Sequence, residues 1–509
     1  MKNMIFTLVM VFLSAGCGGR SFASSNGDSG QPPFCPDCNV VLVSLDTLRA
    51  DSLGTYGYSR ATSPNLDRLA RKGTVFLNTY AQAPSTFPSH MSIFTSQYPW
   101  THKVVNILRD RLSPETVTLP MLFRQRGYST LWAAPLSDPT LDLDAGFKSG
   151  FNDFIDTNQL ADKLISDDIK SVFAWLERNA QKKFFMFFHT YRVHDPYLPA
   201  KTSLERFLAP VPSRYLSRED FERKVSSKAG MDMCQGLSEA LNQALARTCP
   251  PAGQPTTEQD ITDFIRSRIA FWEGLVPDSP ADIQYYKTLY DAGVFEADAV
   301  VGALYRKLEQ LDLADKTILI VTSDHGEEFM EHGRVVHAQL YRETLHVPLI
   351  FVFPRKKIGR KIPRTAQSID IMPTILEAVG IAGPVRAEGR SLLPQIKGDT
   401  AVPPIPLTFA GPWDGMYSVR DNRYTYLVNE VCANSINNQA EVCQEAQLYD
   451  RAADSGELNN IFPANREAAA GFAAALYQKI QAASKRPQRP WAQGLSEESK
   501  RRIMKTGYW

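Results

Sequence analysis

The sequence has no apolar run long enough to cross a bilayer. Met4–Leu13 falls well short of the roughly 20 residues that a spanning helix needs. It has no excess of either charge, with 56 Lys+Arg against 55 Asp+Glu in 509 residues, so no global field steers it to nucleic acid. One basic run, Arg355–Lys357 with Arg360, Lys361 and Arg364, reads as a solvated loop after a strand; contact with an anionic lipid or substrate is the alternative. No internal repeat appears, which leaves layered globular architecture rather than a repeat array. Cysteine is sparse at seven residues, too few for a chain held together chiefly by disulfides. Cys35-Pro36-Asp37-Cys38 has no thioredoxin-like pattern around it, so a structural clip fits it better than a redox motif.

The first residues form a targeting segment. Lys2 supplies a positive charge, Met4–Leu13 a short apolar stretch, and Leu13-Ser14-Ala15-Gly16-Cys17 resembles a bacterial lipobox. Residues 1–17 therefore read as a signal peptide and 18–38 as a flexible tether rich in Gly, Ser, Asn and Pro. The expectation is export and lipid anchoring at Cys17 in a bacterial envelope, at the outer membrane or in the periplasm. Without Cys17, six cysteines remain (Cys35, Cys38, Cys234, Cys249, Cys432 and Cys443), and in an oxidising compartment they pair most simply as sequence neighbours.

Four apolar runs read as buried parallel strands: Asn39–Leu45, Lys183–Phe188, Lys316–Thr322 and Pro348–Phe353. The first three run into Asp46, into His189, and into Ser323-Asp324-His325-Gly326. Ligands of open α/β sheets bind beyond the carboxyl ends of strands, so these residues are expected at one crevice. Helical patterns over Pro64–Lys72 and Asp282–Leu311 complete an α/β rhythm. Residues 203–281 interrupt it as an inserted, lid-like segment. The texture changes after Gly398, where short runs such as Arg423–Val428 suggest a small antiparallel sheet, followed by a helix over Arg466–Ala483. The expected division is a catalytic domain over 39–398 and a small subdomain over 399–509.

Thr86 precedes a short helical-looking run with Met91 and Phe94 on one face, and Pro88 suits its first turn. A hydroxyl just ahead of a helix N-terminus faces free amides and the positive dipole end, which suits attack on an anionic centre. The plain alternative is that Ser85 or Thr86 is only an N-cap. Asp324 and His325 offer an oxygen and a nitrogen ligand side by side. With Asp46 and the Thr86 hydroxyl they form a ligand set for one divalent cation, which would lower the pKa of an otherwise poor nucleophile. Six of the eight histidines (His90, His189, His194, His325, His332 and His337) lie in these polar turns. His194 and His337 are candidates to bind non-bridging oxygens or to protonate the leaving group. His90, His189 and His332 are candidates to bind substrate.

These residues carry a resemblance. Asn39–Gly57, Ser63–Ala70, Thr322–Glu327, Leu340–Tyr341 through His346–Ile350, Asp370–Thr374, Leu448–Asp450 with Glu457–Asn460, and Gly507–Tyr508 resemble, in this order, the sulfatase family of the alkaline phosphatase superfamily. The resemblance implies an α/β core with a large mixed, mostly parallel sheet and a smaller C-terminal antiparallel sheet, with esterase chemistry on sulfate or phosphate. It places Asp46, Asp324 and His325 on metal-ligand positions, Thr86 on the nucleophile, and His194 and His337 on substrate-anion positions, with His332 as an addition. Formylglycine sulfatases carry Cys/Ser-x-Pro-x-Arg; here the aligned stretch is Thr86-Phe87-Pro88-Ser89-His90, and threonine cannot yield that aldehyde. Thr47 replaces a second acidic ligand, His325 an Asn, and His337 the usual Lys. These departures point to the threonine-nucleophile relatives, with phosphoesters (diesters before monoesters) preferred to sulfates. The expected cofactor is one divalent ion, Mn²⁺, Zn²⁺ or Ca²⁺, without formylglycine. The expected partner is an anionic ester of a lipid, glycan or small molecule, with no nucleic acid. A sulfatase, a phospho-group transferase and a non-catalytic anion-binding lipoprotein are the alternatives. Oligomeric state is not legible.

Overall fold

The computed structural model describes residues 32–485 except 106–109, 136–145, 147–148, 158–166, 196, 198, 209–278, 338, 356–357, 385, 402, 404, 414 and 430–445. The signal segment, most of the tether and insertion, the Cys234/Cys249 and Cys432/Cys443 pairs and the closing Gly507–Tyr508 lie outside the described residues. The Cys35 and Cys38 sulfurs are joined, and the Cys35 amide donates to the Ala378 carbonyl at 2.8 Å.

The large sheet contains β1 (Asn39–Leu45), β2 (Thr74–Tyr80), β3 (Ser129–Ala134), β4 (Asp153–Asp156), β5 (Phe184–Thr190), β6 (Thr317–Thr322), β9 (His346–Val352) and β10 (Arg360–Gln367). Their order is β10-β2-β9-β6-β1-β5-β3-β4. All seven residues of β1 are buried, because both faces are covered. Val40 and Leu42 face a core shared with Met91 and Phe94, whereas Val41, Val43 and Leu45 face one shared with Leu66, Leu289 and Val300. That is why the central strands read as unbroken apolar runs. The covering helices are α1 (Pro64–Lys72), α2 (Thr86–Thr95), α3 (Asp167–Asn179), α4 (Pro280–Gln310) and α5 (Ile371–Val379). Asp298 of α4 accepts the Asn65 and Leu66 amides at 3.1 and 2.7 Å, satisfying the free first turn of α1.

The fourth apolar run departs from expectation: β9 is antiparallel to both β2 and β6. A parallel return needs a crossover of a dozen or more residues across one face, usually a helix. The link from β6 to the neighbouring β9 instead stays at the carboxyl end of β6, through the hairpin of β7 (Glu328–Phe329) and β8 (Val335–Val336). The second sheet is antiparallel, in the order β11 (Thr408–Trp413), β12 (Met416–Arg420), β13 (Tyr424–Asn429), β14 (Gln447–Asp450). Phe472 and Leu476 of α6 (Arg466–Ser484) fill its core together with Tyr98, Trp100 and Ile369 from the larger part.

Candidate active site

Three neighbouring parallel strands deliver the chemistry. In register, Ser44 of β1 lies beside His189 of β5 on one side and Thr322 of β6 on the other. Asp46 therefore follows β1 at the level where His189 ends the apolar run of β5 and Asp324-His325 follows β6. The Asp46 amide donates to the Thr190 carbonyl at 3.0 Å, fixing this edge. Ser323 ties the two loops together: its hydroxyl lies 2.6 Å from the carbonyls of Leu45 and His325 and accepts the Leu48 amide at 3.0 Å. The close approach explains Gly326, where a Cβ would overlap the Glu343 carbonyl. Thr47 adopts φ +54, an unusual conformation for a β-branched residue.

Thr86 is the first residue of α2, one position further into the helix than the sequence suggests; Ser85 is the extended N-cap and makes no side-chain cap bond. All ten residues of α2 are buried. The Ser89 hydroxyl donates to the Asp324 carbonyl at 2.6 Å, locking α2 to the β6 loop. Thr86 Oγ1 stands 3.3 Å from Asp46 Oδ2 and 3.3 Å from His325 Nε2. Asp46, Asp324 and His325 have ligand atoms all within 4.8 Å of one another and are completely buried. Asp46 Oδ1 and Asp324 Oδ2 have no hydrogen-bond partner among the described residues. Two buried carboxylates side by side with orphaned oxygens, an imidazole and a hydroxyl are a donor set that fits a divalent cation.

The histidines share a pattern. His325 Nδ1 lies 3.0 Å from the Gly326 carbonyl, His194 Nδ1 lies 3.0 Å from Asp195 Oδ1, and His337 Nδ1 lies 3.0 Å from Glu327 Oε1. The Gly326 carbonyl and the Asp195 carboxylate accept, so Nδ1 of His325 and of His194 carries the hydrogen; burial raises Glu327 to about 8, so its carboxyl keeps a proton of its own near neutral pH and can donate to His337 Nδ1. The rings of His325 and His337 are 4.4 Å apart, and those of His337 and His194 5.2 Å apart. Burial disfavours charge on His194, but Asp195 and Asp46 outweigh it and raise its pKa to about 10. Burial, then the neighbouring His194, lower that of His337 to about 4. Burial works against ionised Asp46 as well, yet His194, His189 and His325 hold it below the usual carboxylate range. Asp324 is pushed up, first by burial and then by Asp46.

His90 Nε2 lies 2.9 Å from the Ser44 hydroxyl, and its ring meets that of His189 at 4.7 Å. His332 stands apart from this cluster: its ring stacks on Tyr341 and its Nε2 faces Glu343 at 3.4 Å. The sequence reading gave no role to Ser44, Ser323, Asp195 or Glu327. A serine set between Val43 and Leu45 in the apolar run of β1 is the signal for Ser44, and Glu327 follows directly on Asp-His-Gly.

A family model described as Sulfatase matches residues 38–381. Arylsulfatase K of Rattus norvegicus is 25% identical over 444 residues, covering 83% of this chain and 74% of the relative. N-acetylglucosamine-6-O-sulfatase of Bacteroides thetaiotaomicron is 25% identical over 476 residues, covering 83% and 82%. The phosphonate monoester hydrolase of Agrobacterium radiobacter has the same fold, with a TM-score of 0.63 at 19% identity over 88% of this chain and 96% of that one. A protein solved with its substrate D-glucosamine-2-N,6-O-disulfate aligns at TM-score 0.63 and 21% identity, covering 88% and 97%.

Proposed function

The chain belongs to the sulfatase family of the alkaline phosphatase superfamily and is an ester hydrolase, and from that premise we propose that it cleaves phosphoesters through Thr86. The observation that carries this reading is the Thr86 hydroxyl, 3.3 Å from both Asp46 and His325. Asp46, Asp324 and His325 would hold the ion. When bound, it supplies a lowered pKa for the Thr86 hydroxyl and positive charge opposite the anionic substrate.

Thr86 Oγ1, its hydroxyl proton first given up to solvent, attacks phosphorus as the alkoxide; its bond to phosphorus forms as the bond to the ester oxygen breaks. His194, whose proton Asp195 holds at neutral pH, gives that proton from Nε2 to the departing alkoxide. His337, kept neutral and oriented by Glu327, contacts a non-bridging oxygen. Water then attacks the Thr86 ester, losing a proton to His194 and releasing Thr86. An acceptor alcohol in place of water would make the enzyme a transferase. Phosphorus is preferred because a threonine sulfate ester lacks the aldehyde-hydrate route by which formylglycine enzymes release sulfate.

A sulfatase is the second reading. It draws on relatives whose names specify sulfate esters, including one acting on N-acetylglucosamine-6-O-sulfate. The test is turnover of aryl phosphodiesters, phosphonate monoesters, phosphomonoesters and sulfates with Mn²⁺, Zn²⁺ or Ca²⁺. Phosphoester turnover lost in Thr86→Ala is expected. Sulfate turnover lost in that variant, with no phosphoester activity, would reverse the preference. The reading includes export and lipid anchoring at Cys17, supported by Lys2, Met4–Leu13 and the lipobox, and checked by acyl labelling that disappears in Cys17→Ser.

A further inference from the structure

The neighbourhood of His189 contains an electrostatic conflict that the single cation site does not resolve. Its Nδ1 lies 3.2 Å from the Ser44 carbonyl oxygen. Both that carbonyl and the Asp46 carboxylate met by Nε2 only accept, and a neutral ring donates to one of them; with the hydrogen on Nδ1, Nε2 presents a lone pair. That Nε2 faces Asp46 Oδ2 at 3.2 Å, with both side chains fully buried. Two electron-rich atoms so close, away from water, repel unless positive charge lies between them.

His325 is arranged in the same way on the other side. Its Nδ1 is anchored on the Gly326 carbonyl, and its Nε2 faces Asp46 Oδ1 at 3.7 Å and Asp324 Oδ2 at 3.6 Å. Asp46 therefore turns its two oxygens on two different imidazoles. His90 approaches from α2, with its ring nearly perpendicular to that of His189 at 87° and its Nε2 2.9 Å from the Ser44 hydroxyl. The ligand atoms of His90, His189 and Asp324 all lie within 4.8 Å of one another, and all three residues are buried. Asp324 belongs both to this group and to the group with Asp46 and His325.

We propose that His90, His189 and Asp324 form a second cation site beside the first, with Asp324 and Asp46 each reaching toward both ions. Two imidazoles and a carboxylate are a nitrogen-rich set that takes Zn²⁺ in preference to Ca²⁺ or Mg²⁺. The carbonyl and hydroxyl of Ser44 act behind the ligands, orienting the two rings as partners of metal-bound histidines do. Paired ions bridged by carboxylates typically stand about 3.5–4 Å apart. The inference rests on the first site of the proposed function and adds to it an ion that the resemblance does not call for. A proton on His189 is the competing answer to the same conflict, and the number of ions bound separates the two.

The experiment uses the full chain, stripped with chelator, titrated with ZnCl₂ by calorimetry and assayed for metal after gel filtration. Parallel samples loaded with Mn²⁺ are read by electron paramagnetic resonance. The variants are His189→Gln, His90→Gln and His325→Gln, each checked for folding by near-ultraviolet circular dichroism. The wild type is expected to bind two equivalents and to give an exchange-coupled Mn²⁺ signal. Each variant is expected to bind one equivalent and give an uncoupled signal. If His90→Gln does not fold, His189→Gln still decides the matter. The proposal is overturned if the wild type saturates at one equivalent, or if His189→Gln still binds two. One equivalent lost in His325→Gln and kept in His189→Gln removes the second site and leaves the first. No binding by the wild type removes both.

Discussion

His194 and His337 stand 5.2 Å apart, yet their environments drive them in opposite directions. The Asp195 carboxylate keeps a proton on His194, while burial and that same positive neighbour strip one from His337. The proposed leaving-group acid is therefore His194. His194→Gln is expected to lower kcat/KM by about 10²–10⁴-fold for an alkyl ester and far less for an aryl ester with a good leaving group. A series of leaving groups measures this, and equal losses across it would rule out the acid role. Ser323 illustrates support rather than chemistry, since one hydroxyl links the loops after β1 and β6. Ser323→Ala leaves buried backbone groups without their partner and is expected to cost about 1–3 kcal/mol in urea unfolding.

Among the elements, two buried histidines given no part in the chemistry couple secondary structure to pH. His102 Nδ1 accepts the Val104 amide at 3.0 Å, and His346 of β9 donates from Nε2 to the Leu77 carbonyl of β2 at 2.8 Å. Burial lowers both pKa values to about 3. The unfolded chain takes up these protons first, near pH 6.5. Stability is thus fully present above pH 6.5 and is lost as pH falls toward 3, by about 1.4 kcal/mol per unit for each histidine. Urea midpoints between pH 6.5 and 4.5 are expected to show this slope, reduced by one proton equivalent in His102→Asn; an unchanged slope would contradict it. The same elements show what was legible in the chain. β1, β5 and β6 were legible because burial on both faces leaves the middle of each strand an apolar run. β10 was not, because Arg360, Lys361 and Pro363 open it on an exposed edge, and β2 was hidden because Asn78 and Thr79 break its run. The direction of β9 depended on a link without a crossover helix, which apolar content does not reveal. Asp46, Asp324 and His325 were legible as polar residues stopping apolar strands. The anchoring of imidazole tautomers by Ser44, Asp195 and Glu327 was not, because it depends on three-dimensional register.

Over the whole molecule, the matched region at 38–381 contains the strands that deliver every proposed ligand, while the C-terminal sheet shares a core with Tyr98, Trp100 and Ile369 beyond α2. Folding thus forces Asp46 and Asp324 together in a buried centre, at a cost that a bound cation would offset. Chelation is expected to lower Tm by several degrees. At about 1,000 times its Kd, restored Zn²⁺ contributes about 4 kcal/mol. A Tm indifferent to chelator and metal would contradict a built cation site. The central claim is that the substrate's phosphoryl group passes through Thr86, and acid quench during steady-state turnover of a slow aryl phosphodiester, followed by peptide mass spectrometry, tests it most directly. The expected result is a phosphoryl adduct on the peptide carrying Thr86 in the active enzyme, with neither adduct nor turnover in Thr86→Ala. Undiminished turnover in Thr86→Ala, or an adduct on a different residue, would contradict it.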